Sequence, residues 1–451
     1  MNVIALVDGE HHPPVTRWGL EKAADSGFTV MSALVIGGTE KLPVGGELEL
    51  GNVEVIRGED DPAAALRDAI ASFRPEGVLD LSDEPVAGYE RRMELVAVAL
   101  AAGLSYIGAD FRFDPPVTAK PLPTPSLAVI GTGKRVGKTA VAGHLARLCA
   151  ARGDRPVIVA MGRGGPLEPV AAGPSDAELS ALLARVEAGQ HAASDFLEDA
   201  LTAGVTTVGA RRCGGGLAGK PFATNVEEAA AVAASLDAGL VILEGSGASV
   251  PTVPWDAGIL VMPASLPMEH LRGYFGPFRL LLSDLAVIMM EHGPHSGPDN
   301  LSTLYPEVRR LHADIRVVAA ELLPVPMADV RGKDALFTTT AQPQLADRQA
   351  ARLEQSAGCR IVMTSPHLGH RERLEQEMKS APPFDVLLTE LKGAAVDVAA
   401  RQALERGAEV VFVDNRPKTV EGDGEIDDLL LDAASLARAR ASERLSARGK
   451  P

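Results

Sequence analysis

The residues that most strongly predict chemistry are a lysine and a threonine at the end of a glycine-rich turn. From residue 126 the chain reads SLAVIGTGKRVGKT, an apolar run followed by a turn that ends in Lys138 and Thr139. Glycines let backbone N–H groups converge on phosphate oxygens, the lysine reaches the β and γ phosphates of a nucleotide, and the threonine hydroxyl binds Mg²⁺. The spacing departs from the common G-x-x-x-x-G-K-[ST] pattern, because Thr132 stands where that pattern has its first glycine and Gly131 lies one residue earlier. We predict a site for ATP and Mg²⁺ here; the alternative is a Gly-Lys-Thr sequence that merely begins a helix.

The residues predicted to contact the nucleotide are Gly131, Thr132, Gly133, Lys134, Arg135, Val136, Gly137, Lys138, Thr139 and Ala140. Within this set Lys138, Lys134 and Arg135 are predicted to be catalytic, because phosphoryl transfer depends mainly on positioning and on neutralising charge.

An acidic residue ends a second apolar run. Residues 240–247 read LVILEGSG, which places Glu244 at a predicted strand terminus just before a glycine turn. The carboxyl ends of parallel strands meet at one edge of a sheet, so we expect this carboxylate beside the phosphate site, where Thr139 and Glu244 together would hold Mg²⁺. A strand-ending turn with a solvated glutamate is the alternative.

Two further glycine-rich segments carry cations. Residues 157–165 read VIVAMGRGG and residues 208–220 read VGARRCGGGLAGK, with strands predicted at 157–161 and 206–208. We expect both loops to approach the phosphate loop, and their planar guanidinium groups suit a second polyanion beside the nucleotide. Solvated arginines in tight turns are the alternative. The residues predicted to bind this second anion, the substrate, are Arg163, Arg211, Arg212, Lys220 and Ser246.

The composition restricts the classes of partner. The chain has 451 residues, of which 46% are hydrophobic and 23% charged, as in globular proteins. Its 44 Lys+Arg against 60 Asp+Glu give a net charge of −16, which argues against binding to nucleic acid or to an anionic membrane. Cys149, Cys213 and Cys359 lie far apart and predict neither a zinc site nor a disulfide framework. Without a signal-like or membrane-spanning segment, we expect a soluble cytoplasmic protein that acts on a small molecule.

Short apolar runs alternate with helix-period segments along the whole chain, so the predicted class is α/β with a mostly parallel sheet. Five prolines in residues 112–125 favour extended backbone and indicate a linker. The predicted organisation is an N-terminal α/β domain of unknown role at 1–111, this linker, a P-loop ATP-binding catalytic domain at 126–435, and an Arg/Ala-rich tail at 436–451 expected to be a solvated helix with a frayed end. The pair His292 and His295 is interpreted as surface groups.

Several segments together resemble the cyclic 2,3-diphosphoglycerate synthetase family, in the dethiobiotin-synthetase-like branch of P-loop proteins, whose loop has the form G-T-x-x-x-V-G-K-T. These segments are 6–14 (LVDGEHHPP), 129–140 (VIGTGKRVGKTA), 161–166 (MGRGGP), 211–216 (RRCGGG), 243–248 (LEGSGA) and 411–417 (VFVDNRP). The resemblance implies ATP-dependent closure of 2,3-diphosphoglycerate into its cyclic pyrophosphate, with release of ADP and phosphate, by a cytoplasmic homodimer. In that reaction Lys134, Arg135, Arg163, Arg211 and Arg212 are expected to clamp the substrate while Lys138 stabilises the transferred group.

Two other functions stay open at this point. A dethiobiotin-type ligase or kinase acting on another small acid predicts a less basic crevice than these loops suggest. A nucleotide-driven metallochaperone-type switch predicts paired cysteine or histidine ligands, and the three isolated cysteines provide no such pair.

Overall fold

The computed structural model describes residues 1–38, 50–290 and 298–448. In these ranges the strands form a six-stranded sheet near the N-terminus and a thirteen-stranded sheet that takes in the strands of the remaining chain. The predicted α/β class is confirmed. No helix in the described ranges is long and apolar enough to cross a membrane. His292 and His295 lie outside the described residues.

The six-stranded sheet is formed by residues 2–113, so its last strand includes the first two residues of the predicted linker. Its elements are β1 (Asn2–Val7), α1 (Pro13–Asp25), β2 (Thr29–Val35), β3 (Glu54–Arg57), α2 (Pro62–Phe73), β4 (Gly77–Asp80), α3 (Tyr89–Ala101), β5 (Ser105–Ile107) and β6 (Arg112–Phe113). The strand order is β3-β2-β1-β4-β5-β6, parallel except for the last pair. Side chains on both faces of β1 are buried, which is why its sequence is apolar without alternation.

The large sheet begins after the proline-rich segment. Its first elements are β7 (Ser126–Gly131), α4 (Lys138–Ala151), β8 (Pro156–Gly162), β9 (Val170–Ala172), α5 (Leu179–Glu187), α6 (Asp195–Ala203), β10 (Thr207–Cys213), β11 (Ala223–Thr224), α7 (Val226–Ser235), β12 (Leu240–Glu244), β13 (Ala257–Pro263), α8 (Met268–Arg272), α9 (Gly276–Leu281), β14 (Leu285–Met289), α10 (Pro298–Leu311) and β15 (Arg316–Pro326). The strands β10-β8-β12-β7-β13-β14-β15 run parallel in that order, so β7 lies near the middle. Leu127 and Val129 of β7 share a core with α4, whereas Ala128 and Ile130 share one with α7. Helices on both faces therefore explain why β7 is apolar throughout.

The same sheet continues into the last third of the chain. The remaining elements are β16 (Asp334–Thr338), α11 (Pro343–Ala357), β17 (Arg360–Ser365), α12 (Arg371–Ser380), β18 (Val386–Thr389), α13 (Arg401–Glu405), β19 (Glu409–Gly422) and α14 (Ile426–Arg448). β19 pairs antiparallel with β15, and β18, β16 and β17 follow in parallel. The domain boundaries given above stay predictions.

Helix α14 differs from the solvated tail that was expected. Ala437 and Ala441 are buried against the large sheet. Three arginines of the helix form ion pairs: Arg438 with Asp154 at 2.7 Å, Arg440 with Asp284 at 2.8 Å and Arg444 with Asp256 at 2.9 Å. The carboxylate partners are more than 150 positions away in the sequence. The sequence around the arginines therefore does not show these ion pairs, and the segment was predicted to be solvated.

Candidate active site

The phosphate loop joins the centre of the large sheet to a helix. β7 ends at Gly131 and α4 begins at Lys138. Gly137, just before the helix, has a φ of 96°, a left-handed conformation that strongly favours glycine. The Lys138 ammonium folds back and donates a hydrogen bond to the Gly133 carbonyl at 2.8 Å. The loop lies at the carboxyl edge of the parallel strands, where ligands bind in open α/β sheets.

The charge of Lys138 is poorly compensated in this structure. The residue is only 6% exposed and forms no ion pair in the described ranges. Burial lowers the pKa of its ammonium to about 8; Arg212 and Arg163 add to the lowering, while Glu244 and Asp195 oppose it. An anion beside the ammonium would favour its charged form, so the loop is suited to a phosphate ligand.

The two predicted metal ligands are in contact. The Thr139 hydroxyl donates to Glu244 Oε1 at 2.6 Å, because β12 lies beside β7 in the sheet. Glu244 is 5% exposed, and its burial, followed by the charge of Asp195, raises the pKa of its carboxyl group. Their role as metal ligands stays a prediction.

A second buried carboxylate lies behind Glu244, and sequence reasoning missed it. Asp199 on α6 is fully buried, and neither of its oxygens has a hydrogen-bond donor in the described ranges. Burial, followed by the charge of Glu244, raises the pKa of Asp199 well above its usual value. Asp199 and Glu244 are close enough to repel each other when both are charged, and a hard divalent cation beside them would relieve that repulsion. Acidic residues are common at helix N-termini, so the sequence DFLED gave no distinctive signal.

Arg163 and Arg212 line one cavity close to Lys138 of the phosphate loop. The cavity has a volume of about 510 Å³, and its wall also includes Cys213, residues 214–216, Ala248 and Ser249. Both guanidinium groups lie 3.1 Å from the position that a Cβ on Gly247 would occupy. Burial, followed by the charge of Arg163, lowers the pKa of Arg212. Two cations this close favour an anion between them.

Arg211 points away from that cavity. Strand β10 extends to Cys213, and successive residues of a strand face opposite sides, so Arg211 and Arg212 are separated. The Arg211 Nε donates to the carbonyls of Gly165 at 3.1 Å and Pro166 at 2.8 Å. Arg211 therefore braces the loop that carries Arg163; direct contact with a substrate stays a prediction.

The remaining predicted residues surround the cavity less closely. Lys134, Arg135 and Lys220 are exposed, with Lys134 and Arg135 on the phosphate loop. Ser246 is half-buried, and its carbonyl accepts a hydrogen bond from Arg212 at 2.8 Å. Other residues of the predicted nucleotide set, Thr132, Val136 and Ala140, follow the course of the loop into α4.

Aromatic and apolar contacts join the N-terminal part to two later segments of the chain, one of which neighbours the cavity wall in the sequence. Ala218, in the loop after β10, is buried in one core cluster with Tyr106 of the N-terminal part. The Tyr89 hydroxyl accepts a hydrogen bond from the Tyr274 amide at 2.9 Å, and the two rings meet edge to face. The N-terminal part thus supports residues that lie next to the arginine cavity.

Family models and full-length relatives of the chain all point to the same protein family. Models of the N-terminal, P-loop and C-terminal domains of cyclic 2,3-diphosphoglycerate synthetase match residues 2–114, 126–320 and 326–416, respectively. A protein of that name from Rubrobacter xylanophilus is 44% identical over 98% of both chains. Proteins of the same name are 40% identical in Methanothermobacter thermautotrophicus, over 96% of both chains, and in Methanothermus fervidus, over 96% of this chain and 97% of the relative.

Proposed function

This chain belongs to the cyclic 2,3-diphosphoglycerate synthetase family, and from that premise we propose that it is an ATP-dependent synthetase that closes 2,3-diphosphoglycerate into a cyclic pyrophosphate. The reaction releases ADP and phosphate. The enzyme is thus a ligase that forms a phosphoanhydride within one small molecule.

One observation supports this substrate most strongly. Arg163 and Arg212 line a cavity whose positive charge also acts on the buried Lys138 of the phosphate loop. In a protein of net charge −16, such a local concentration of cations favours two polyanions held side by side. A bisphosphorylated acid beside ATP meets that requirement better than a carboxylate or amine substrate.

The proposed chemistry has two displacement steps at phosphorus. First, an oxygen of one substrate phosphate attacks the γ phosphorus of ATP, which forms a phosphoanhydride and releases ADP. Then an oxygen of the second substrate phosphate attacks the phosphorus of the activated group, which closes the ring and expels inorganic phosphate. One anhydride bond of ATP is thereby replaced by one in the product, and no enzyme nucleophile is required.

The chain's residues supply position and charge for these steps. Lys138 stabilises the transferred phosphoryl group, and Arg163 and Arg212 hold the substrate phosphates close enough to react. Lys134 and Arg135 add positive charge from the phosphate loop. Arg211 keeps Arg163 in place through the carbonyls of residues 165 and 166.

Mg²⁺ is part of the proposal, with Thr139 and Glu244 as its protein ligands. The contact between these two residues and the second buried carboxyl group, Asp199, next to Glu244 support that assignment. When bound, the ion neutralises phosphate charge.

A homodimer in the cytoplasm is proposed from the family resemblance. Light scattering on the purified protein is expected to give about twice the chain mass of 47.1 kDa, whereas a single-chain mass would contradict the dimer.

A substrate panel tests the proposed function. ATP consumption is measured with 2,3-diphosphoglycerate, with 3-phosphoglycerate and with a diamino carboxylic acid, and Lys138→Met serves as the inactive control. We expect turnover with the bisphosphate alone. Faster turnover with the diamino acid would contradict the assignment and favour a dethiobiotin-type ligase.

A further inference from the structure

A short turn in the wall of the arginine cavity has amide groups without acceptors. In residues 246–249 the Ser249 amide donates to the Ser246 carbonyl at 3.0 Å, and Gly247 has a φ of 61°. Within the described ranges the amides of Gly247 and Ala248 donate to no backbone or side-chain acceptor. Ala248 and Ser249 line the cavity.

The carbonyls of this turn are held by two arginines. Arg212 Nη2 donates to the Ser246 oxygen at 2.8 Å, and Arg279 Nη2 donates to the Ala248 oxygen at 2.6 Å. A carbonyl oxygen repels an anion, whereas an amide N–H attracts one. The two guanidinium groups therefore offset the negative ends of the Ser246 and Ala248 carbonyls. The free amides of the turn remain available to a negatively charged ligand.

Arg279 is a buried cation outside the predicted site. It lies on α9, is 3% exposed, and donates to the carbonyls of Tyr274, Phe275 and Ala248. It forms no ion pair with a carboxylate in the described ranges, and its Nε has no acceptor there. A buried charge is normally paired, because removing it from water is strongly unfavourable. An anion in the adjacent cavity would provide the missing negative charge.

Arg212 gives an independent indication of the same ligand. The residue is 9% exposed, its Nε also has no acceptor in the described ranges, and Arg163 lies beside it near Gly247. Unsatisfied donors in native proteins are rare, so those of Arg212, in the cavity wall, and of Arg279, bound to the turn in that wall, favour a ligand rich in acceptor oxygens.

We propose that the turn 246–249 is a cradle for one phosphate group of the substrate, separate from the γ phosphate of ATP, and that Arg279 is the positioning residue that holds the cradle open. The phosphate accepts hydrogen bonds from the amides of Gly247 and Ala248 and is flanked by Arg163 and Arg212. This inference rests on the proposed function, because it takes the ligand to be a bisphosphorylated acid.

Direct binding tests the cradle without turnover. Calorimetry measures the dissociation constant of 2,3-diphosphoglycerate in the absence of ATP for Arg279→Met, Arg279→Lys and Gly247→Ala. The methyl group of the last variant meets both guanidinium groups at 3.1 Å and strains a positive φ. We expect the dissociation constant to rise about tenfold or more in Arg279→Met and Gly247→Ala, and less in Arg279→Lys, which keeps the charge.

Two controls separate a local effect from general damage. Ser283→Ala removes a hydroxyl that donates to the Arg279 carbonyl but leaves the guanidinium contacts intact, so affinity is expected to stay within about twofold. Affinity for a non-hydrolysable ATP analogue is expected to be unchanged in all variants. In turnover, KM for 2,3-diphosphoglycerate is expected to rise more than kcat falls.

The outcomes distinguish the cradle from the proposed function. Folded Arg279→Met and Gly247→Ala proteins that bind 2,3-diphosphoglycerate like the wild type would overturn the cradle. If Arg279→Met fails to fold, the dissociation constants of Gly247→Ala and Arg279→Lys test the cradle instead. Weakened binding in the variants without any cyclic product from the wild type would support the cradle and contradict the reaction. A wild-type protein that does not bind 2,3-diphosphoglycerate would contradict both.

Discussion

Thr139 and Glu244 are hydrogen-bonded at 2.6 Å although 105 positions separate them in the sequence. Glu244 is paired with Val129 in the parallel register of β12 and β7, so the carboxylate ends its strand beside the phosphate loop. The nucleotide loop and the acidic strand end therefore form one site as a direct result of strand order.

Removing either partner of this contact is expected to reduce catalysis. Thr139→Ala and Glu244→Gln should each lower kcat by about 10² to 10³, as is usual when one group that positions or neutralises transition-state charge is lost. Steady-state kinetics over a Mg²⁺ titration measure this loss. Thr139→Ser keeps the hydroxyl and is the matched control. A Glu244→Gln enzyme with the wild-type rate and Mg²⁺ dependence would contradict the metal assignment.

Arg163 and Arg211 are expected to differ in effect, because only Arg163 lines the cavity. Arg163→Ala should lower kcat/KM for 2,3-diphosphoglycerate by about 100-fold, the value of one charge-assisted phosphate contact, while KM for ATP changes little. Arg211→Ala removes a brace and should have a smaller effect. Kinetics with each substrate varied separately measure both. Unchanged kcat/KM in a folded Arg163→Ala enzyme would show that the substrate binds elsewhere.

Glu198 is expected to make stability depend on pH. Its carboxylate lies 3.1 Å from the Lys392 ammonium of the last third of the chain. Burial raises the pKa of Glu198 to about 7 from 4.5; Lys392 opposes the rise, while Asp195 and Glu390 add to it. Between these two values the native state holds a proton that the unfolded chain has lost, so this group's contribution to stability falls as pH rises.

Glu198→Gln removes that proton exchange. From pH 5 to pH 8 the free energy of unfolding should shift in favour of the variant by about 1–3 kcal/mol relative to the wild type. Urea unfolding at several pH values measures the difference. Lys392→Met should move the pH window upward, since it removes the cation that lowers the pKa of Glu198. Parallel pH curves for wild type and Glu198→Gln would refute this account.

Helix α14 is expected to stabilise the strand that leads to the phosphate loop. The Arg444 guanidinium contacts both oxygens of Asp256 at 2.9 and 3.0 Å and the Leu122 carbonyl at 2.8 Å; Asp256 also accepts from the Ser126 amide at 2.9 Å. Arg444→Ala should therefore lower the free energy of unfolding by about 3 kcal/mol, because it leaves a buried carboxylate without its cation. Arg440→Ala, on the same helix but with a more exposed pair, should cost less than about 1 kcal/mol. Equal losses in denaturant unfolding of the two variants would contradict this role.

The site was predictable where the chemistry lies in one continuous segment. The phosphate loop follows one apolar run and Glu244 ends another. Both runs are parallel strands, so their carboxyl ends lie at the same edge of the sheet. The separation of Arg211 from Arg212 was not predicted, since the expected strand ended at Val208, whereas β10 extends to Cys213 and its alternation divides the two arginines. Asp199 and Arg279 were missed because their significance depends on burial and on distant partners. The ion pairs of α14 were not predicted for the same reason.

The central claim is that ATP drives closure of the pyrophosphate ring, and phosphorus-31 spectroscopy tests it most directly. The wild-type protein is incubated with ATP, Mg²⁺ and 2,3-diphosphoglycerate, and the resonances are followed over time. The account predicts that the two phosphomonoester signals of the substrate give way to a cyclic pyrophosphate signal, with one ADP and one inorganic phosphate formed per ring. ATP turnover in the presence of 2,3-diphosphoglycerate without any cyclic pyrophosphate signal would contradict it.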